Sequence, residues 1–315
     1  MIGDPQSAHE VAVRPRTPRR RAILAAGAAA LVFTAATPWL LRPWFLARDR
    51  LPHSELPLFG IMEDADLYLN VWILTWTSHA ALTDPGTMFD GNIYYPARNT
   101  IAGSENMLAH LPVTAPTLAA TGSALAVLKA MCLESFVLAG VAMFLFVRHH
   151  TGSVAGALVA GAAFTLAPWR VHVVPHPQYL ATQYLALALL GVDLWLDRRQ
   201  RRGLVLLAAA IALQALACLY LGYFAAIAVP IYALVRLAAG RERRLSGALG
   251  VLGALAAGAL AVVPVALPYL RARAAGTITT FNLDEAGFWS WPPWWYVSPG
   301  LVRDVGVATV AIVLA

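Results

Sequence analysis

Long apolar runs separated by short basic turns leave this chain few folds to choose from. Residues 22–46, 124–147, 152–168, 178–196, 203–219, 221–238 and 247–269 are each apolar over a length near the roughly 20 residues that carry a helix across a bilayer core of about 30 Å. An eighth run, from about 304 to 315, begins like the others and reads as an incomplete span. Backbone polar groups in lipid must be satisfied within their own segment, so runs of this kind become helices. The fold class expected is all-α, a polytopic transmembrane helical bundle of about eight spans over residues 22–315, preceded by a polar tail over 1–21. Arg14 to Arg21 ahead of the first run imitate a signal peptide, but that run is too long for a signal-peptide core of about 7–15 residues. It reads as a retained span.

Composition agrees. Hydrophobic residues make up 59% of the chain and charged residues 13%, against about 45–50% and about 25% in a soluble domain. The net charge of +6 does not point to nucleic acid, because most of the basic residues sit in four places between apolar runs: 14–21, Arg148, 198–202 and 236–244. That is how membrane orientation is encoded. Placing all four in the cytoplasm sets the N-terminus there, in a multi-pass protein of the cytoplasmic membrane. Residues 107–121, apolar but short and interrupted by Pro112 and Pro116, then stay on one side as a re-entrant or interfacial stretch. Segments 47–106, 169–177 and 270–303 face outward. Cys132 and Cys218 lie inside apolar runs, without metal-ligand spacing, and read as small buried residues.

Charge is scarce here, so Glu63-Asp64-Ala65-Asp66 stands out, three carboxylates in four residues with a cost in self-repulsion and desolvation. The stretch 63–82 reads as a helix lying along the membrane surface. Glu63, Asp66 and Asn70 share one face. Trp72, Trp76 and His79 form a second stripe, suited to the headgroup region. Asp66, Asp64 and Glu63 are the candidate catalytic bases; an ordinary interfacial helix that its acids merely solvate would show the same pattern. Further along the loop, Asn92, Arg98, Asn99 and Glu105 are polar groups suited to a sugar or, taken singly, to turns.

The second outward segment, Pro168 to Gln178, packs Arg170, His172 and His176 between two spans. A guanidinium fork suits phosphate; a snorkelling anchor is the plainer role. Pro175 spoils a simple helical His172/His176 metal pair. Phe288 to Tyr296, aromatic-rich and holding Pro292 and Pro293, suits an aromatic belt or stacking on a sugar or isoprene. Within the spans, Lys129, Glu134 and Gln214 are the notable polar groups; Lys129 lies near the outer end, and Glu134 is expected to pair with a neighbouring helix.

Asp66-Leu67-Tyr68-Leu69-Asn70-Val71-Trp72-Ile73-Leu74-Thr75-Trp76, Asn92-Ile93-Tyr94-Tyr95-Pro96 and Ser104-Glu105, set in a long loop after an arginine-flanked first span, resemble bacterial membrane proteins placed in the GT-C superfamily of glycosyltransferases. The resemblance spans most of 22–300. It implies transfer of a sugar from a polyprenyl-phosphate donor to a glycan, lipid or protein acceptor at the outer membrane face, with membrane lipids as surroundings. An acidic residue of the first external loop acts as base there, and Asp66 matches that place best. Donor-binding candidates are Arg170, His172, His176, Arg98 and Asn70. No cofactor is implied. Some relatives carry a second acidic pair that helps bind a divalent metal; this chain has Arg170, His172 and His176 in that loop instead. A flippase or transporter of lipid-linked saccharides, or a degenerate relative, is the alternative.

Overall fold

A computed structural model describes residues 19–47, 50–52, 64–239 and 244–278. Every regular element among them is helical: α1 Arg19–Leu40, α2 Arg42–Phe45, α3 Asp64–Thr83, α4 Leu111–Thr121, α5 Ala124–Thr151, α6 Val154–Thr165, α7 Pro168–His172, α8 Gln183–Arg198, α9 Arg201–Ala217, α10 Leu219–Ala239 and α11 Arg244–Ala274. Six helical segments are long and apolar enough to cross a membrane: Ile23–Leu40, Ala124–Thr151, Val154–His172, Pro177–Arg198, Leu219–Ala239 and Leu245–Ala274. The chain is therefore a multi-pass membrane protein. Between them, α9, at 17 residues, packs along α8. The expected last span lies outside the described residues.

Local chemistry sets the turns. Gly152 ends α5 in the left-handed region (φ 70°), where glycine carries no Cβ penalty, and the Ser153 hydroxyl then accepts from Gly156 N–H to start α6. Ser123 caps α5 in the same way through Ala126 N–H. The α8–α9 hairpin closes tightly because a Cβ on Gly203 would lie 2.6 Å from the Gly191 carbonyl oxygen. Small residues let helix backbones approach in this manner where lipid supplies no hydrophobic drive. Phe33 of α1 fills the matching space between Gly140 of α5 and Gly161 of α6.

One expectation shifts. The break in the 203–238 run falls at Cys218 rather than at residues 219–222, because a distant carboxylate, Glu105, caps the new helix there. The stretch 107–121 does stay short, as a turn at Leu108–His110 followed by α4. The inner face of α3 (Leu67, Ile73, Leu74) packs into a core with Trp44 and with Leu128, Met131 and Phe136 of α5. This packing seats α3 at the end of the bundle where α5, α8 and α10 begin, and the turn between α7 and α8 lies at the same end.

Candidate functional site

Asp66 stands one turn before Asn70 on α3. The Asn70 amide, almost wholly buried, donates to the Asp66 carbonyl oxygen at 2.8 Å. That contact leaves the Asp66 carboxylate free of Asn70. That group meets His176, whose Nε2 lies 3.1 Å from Asp66 Oδ2. The two side chains keep 48% and 28% of their surface exposed, so both reach solvent while touching each other. His176 is held between Pro175 and Pro177 in the turn that joins α7 to α8. Its ring stacks on Tyr179 (centroids 6.1 Å apart), and Tyr179 leads on to Tyr220 at the start of α10 (6.2 Å). The pair links segments 110 residues apart in sequence.

Tyr179 is within electrostatic range of both Asp66 and Glu105. Glu105 is buried; its carboxylate accepts from Leu219 N–H at 2.6 Å, Tyr220 N–H at 3.3 Å and the Cys218 thiol at 3.5 Å. It thus occupies the first amides of α10, which have no partner within their own helix and carry the positive end of its dipole. Burial pushes the Glu105 carboxyl above its ordinary range, and the hydrogen bonds from Leu219 and Tyr220 pull it back in part. Read from the sequence as a sugar contact, this residue is a helix cap in the fold. A bond from Tyr269 Oη to the Ser104 carbonyl oxygen (3.0 Å) and one from Asn106 Nδ2 to Tyr269 Oη (3.3 Å) fasten the same loop to α11.

The tryptophan stripe has a different task from the one expected. Trp72 Nε1 donates to Asn92 Oδ1 at 2.9 Å and Trp76 Nε1 to the Met88 carbonyl oxygen at 3.0 Å. Both indoles hold the loop over α3. An indole is a single rigid donor, and a carbonyl or amide oxygen of the loop that follows α3 satisfies it within the protein.

Arg170 requires a correction. Its side chain is fully buried; it donates to Thr182 Oγ1 (2.6 Å), the Leu180 carbonyl oxygen (3.0 Å) and the Ser135 carbonyl oxygen (3.2 Å), and it lies over the rings of Phe136, Phe164 and Trp169. A guanidinium so engaged is not poised for an incoming phosphate. It ties the turn between α7 and α8, through Leu180 and Thr182, to the Ser135 carbonyl of α5, helped by Gln214 Nε2, which donates to the Ala181 carbonyl oxygen at 2.8 Å. Irregular backbone at membrane depth needs such partners, and these hold the turn that carries His176. His172 is exposed on α7. Arg98, 83% exposed, reaches only to 3.6 Å from Asp90, and its head group is open to solution.

Asp64 begins α3, but its side chain, like all of Glu63 and the aromatic run 288–296, lies outside the described residues. Among the described residues, His, Cys, Asp and Glu nowhere gather in a group of three that could hold a metal ion. Asp66 and His176 supply two groups of ligand type.

A half-exposed carboxylate against an imidazole can accept a proton at one atom and pass it to the next, which is the equipment of general acid–base chemistry. The chain matches no known protein family, no curated protein and no solved structure. The chemistry must therefore be argued from this geometry alone. Sequence reasoning named Asp66 and His176 separately and missed their contact. It gave Tyr179 and Tyr220 no role, since a single chain carries no signal of which outer turns meet.

Proposed function

We propose that the protein is a membrane glycosyltransferase of GT-C type that moves a sugar from a polyprenyl-phosphate donor to an acceptor hydroxyl at the membrane surface. The observation that carries this reading is the Asp66–His176 pair, exposed to solvent at one end of the bundle, with Asp66 on α3 and His176 in the turn before α8. Asp66 takes the acceptor proton as the oxygen attacks the anomeric carbon. His176 holds the carboxylate in place and relays the proton. Polyprenyl phosphate leaves as an anion, so it asks for positive charge rather than for a proton; the exposed Arg98 and His172 are the groups offered to it, with Arg170 supporting the fold of the turn instead. Asp64 and Glu63 remain in reserve as bases on the same segment. Arg148, Arg198, Arg201, Arg202 and Arg236 stand at the opposite helix ends, which supports a cytoplasmic N-terminus and an outward-facing site.

The test is direct. Purified protein in lipid vesicles is given a labelled polyprenyl-phosphate sugar and a cell-envelope extract as acceptor source. Release of polyprenyl phosphate together with labelled product is expected, and its loss in the Asp66→Asn variant. Donor left intact under all acceptors would reject the transferase reading. A second reading, translocation of lipid-linked saccharides, is favoured by the irregular backbone between α7 and α8 and the buried Arg170, Gln183 and, reaching it from α9, Gln214, since transporters place irregular backbone and polar side chains along their route. Movement of intact donor between leaflets, without transfer, would decide for it.

A further inference from the structure

A second pair of ionisable groups lies inside the bundle. Glu134 stands ten residues into α5, about 15 Å from the helix start at 1.5 Å per residue and so near the middle of a core about 30 Å thick. Its Oε2 lies 2.9 Å from Nδ1 of His110, in the turn before α4. His110 is fully buried, and its other ring nitrogen has no hydrogen-bond partner. Glu134 keeps 11% of its side chain exposed. That part faces an open groove between α1, α4 and α5 whose other walls are Thr34, Val113, Ala130, Leu133, Val137 and Leu138. The Thr34 hydroxyl is spent on the Ala30 carbonyl oxygen, so the carboxylate is the one strongly polar group the groove offers.

We infer that His110 and Glu134 form a proton-binding site within the membrane, reached sideways from the lipid through this groove and separate from Asp66. The ligand class follows from the surroundings. A metal cation needs several oxygen or nitrogen ligands, and a single carboxylate beside an imidazole in an apolar groove does not supply them. A proton needs only one acceptor at a time. An ionised carboxylate beside a neutral imidazole would leave a net charge in the bilayer, which is costly; one added proton, shared between Oε2 and Nδ1, makes the pair neutral. From α8, Tyr184 is the titratable group within electrostatic range of Glu134. The groove-lining residues of α1 and α4, Thr34 and Val113, are not titratable. On α5, Lys129 is turned to the carbonyl oxygens of Phe45 and Ala47.

Dicyclohexylcarbodiimide, an apolar reagent, tests the site. It adds the O–H of a protonated carboxyl across its carbon–nitrogen double bond, giving an O-acylisourea that rearranges to a stable N-acylurea, with nothing lost. The full-length protein in lipid vesicles is treated across a pH series, and the adduct is mapped by peptide mass spectrometry. Labelling at Glu134 is expected, falling as pH rises and absent in Glu134→Gln. A water-soluble carbodiimide should leave Glu134 unlabelled. His110→Gln, which keeps a polar partner but cannot titrate, should still be labelled, with its pH profile displaced from that of the wild type. Wild-type protein unlabelled at Glu134 overturns lipid access. Superimposable pH profiles for wild type and His110→Gln overturn the shared proton and leave the pair as a tie between helices.

Discussion

The two ends of the bundle hold the same residue types in opposite conditions. At one end Asp66 meets His176 and remains half exposed. At the other, Asp193 of α8 is fully buried, accepts from Tyr232 Oη (2.8 Å) and from His150 Nε2 (2.9 Å), and forms an ion pair with Arg236 Nε (3.1 Å). One helical turn on, Asp197 accepts from His149 Nε2 (3.0 Å) and from a second nitrogen of Arg236. Tyr232 and Arg236 are themselves one turn apart on α10, so two stripes at helical spacing interlock, with the last turn of α5 closing the third side. Both oxygens of the Asp193 carboxylate are engaged. An acid that is fully satisfied holds helices together and has nothing left to offer a substrate. An acid with one partner and open solvent has. The difference between the two carboxylate–histidine pairs is one of unspent hydrogen-bonding capacity, which Asp66 keeps and Asp193 does not.

Breaking the saturated end should have the largest effect. Asp193→Ala leaves Arg236, His150 and Tyr232 without their shared acceptor. The expected loss is about 3 kcal/mol, the low end of the range for a broken buried ion pair because Arg236 keeps 30% of its surface exposed. Thermal unfolding in detergent reads this out, and wild-type stability in the variant would remove the contrast. At the open end, His176→Gln preserves a hydrogen bond to Asp66 but cannot carry a proton. Turnover should fall roughly tenfold, less than general acid–base catalysis can contribute in full, while stability holds. Unaltered turnover would make His176 a mere spacer.

Glu105 lies between these cases, buried yet close to the open pair. Its carboxyl is raised above the ordinary 4.5, chiefly by burial. An acid whose folded pKa exceeds its unfolded one binds more protons when folded, so this contribution to stability is present below the unfolded value and lost as pH rises through the folded one. Glu105→Gln, which keeps a carbonyl to accept from Leu219 and Tyr220, should flatten that part of the stability-versus-pH curve. Parallel curves for variant and wild type would show that the cap is insensitive to its charge. The smallest effect belongs to Arg98→Ala: its exposed ion pair with Asp90 stabilises by about 0–1 kcal/mol, so melting should hardly move. Weaker donor binding with unchanged melting would place Arg98 at the phosphate.

Much of the fold was legible because it rests on local signals. Apolar length gave six of the expected spans, the basic Arg148 the break between α5 and α6, and the double apolar run its division into α9 and α10. What escaped is non-local. Nothing near Cys218 says that Glu105, over a hundred residues earlier, will cap α10, and so the break was displaced. Trp72 and Trp76 carry the composition of an interfacial belt, yet their donors find Asn92 and Met88. Arg170 was legible as an unusual cation but not as a buried one, since its fate depends on the carbonyls of Leu180 and Ser135. The candidate site was half legible in the same sense: Asp66 by its acidic neighbourhood, His176 by its odd turn, and their contact by neither.

The central claim is that the acid at the open end reacts and the acid at the saturated end supports. One preparation decides it, with wild type, Asp66→Asn and Asp193→Asn compared in vesicles for transfer of labelled sugar per folded molecule. Asp66→Asn should lose about 10²-fold or more in turnover with its melting unchanged, whereas Asp193→Asn should lose stability and keep the turnover of whatever remains folded. Full transfer by Asp66→Asn, or lost turnover in folded Asp193→Asn, would contradict the account.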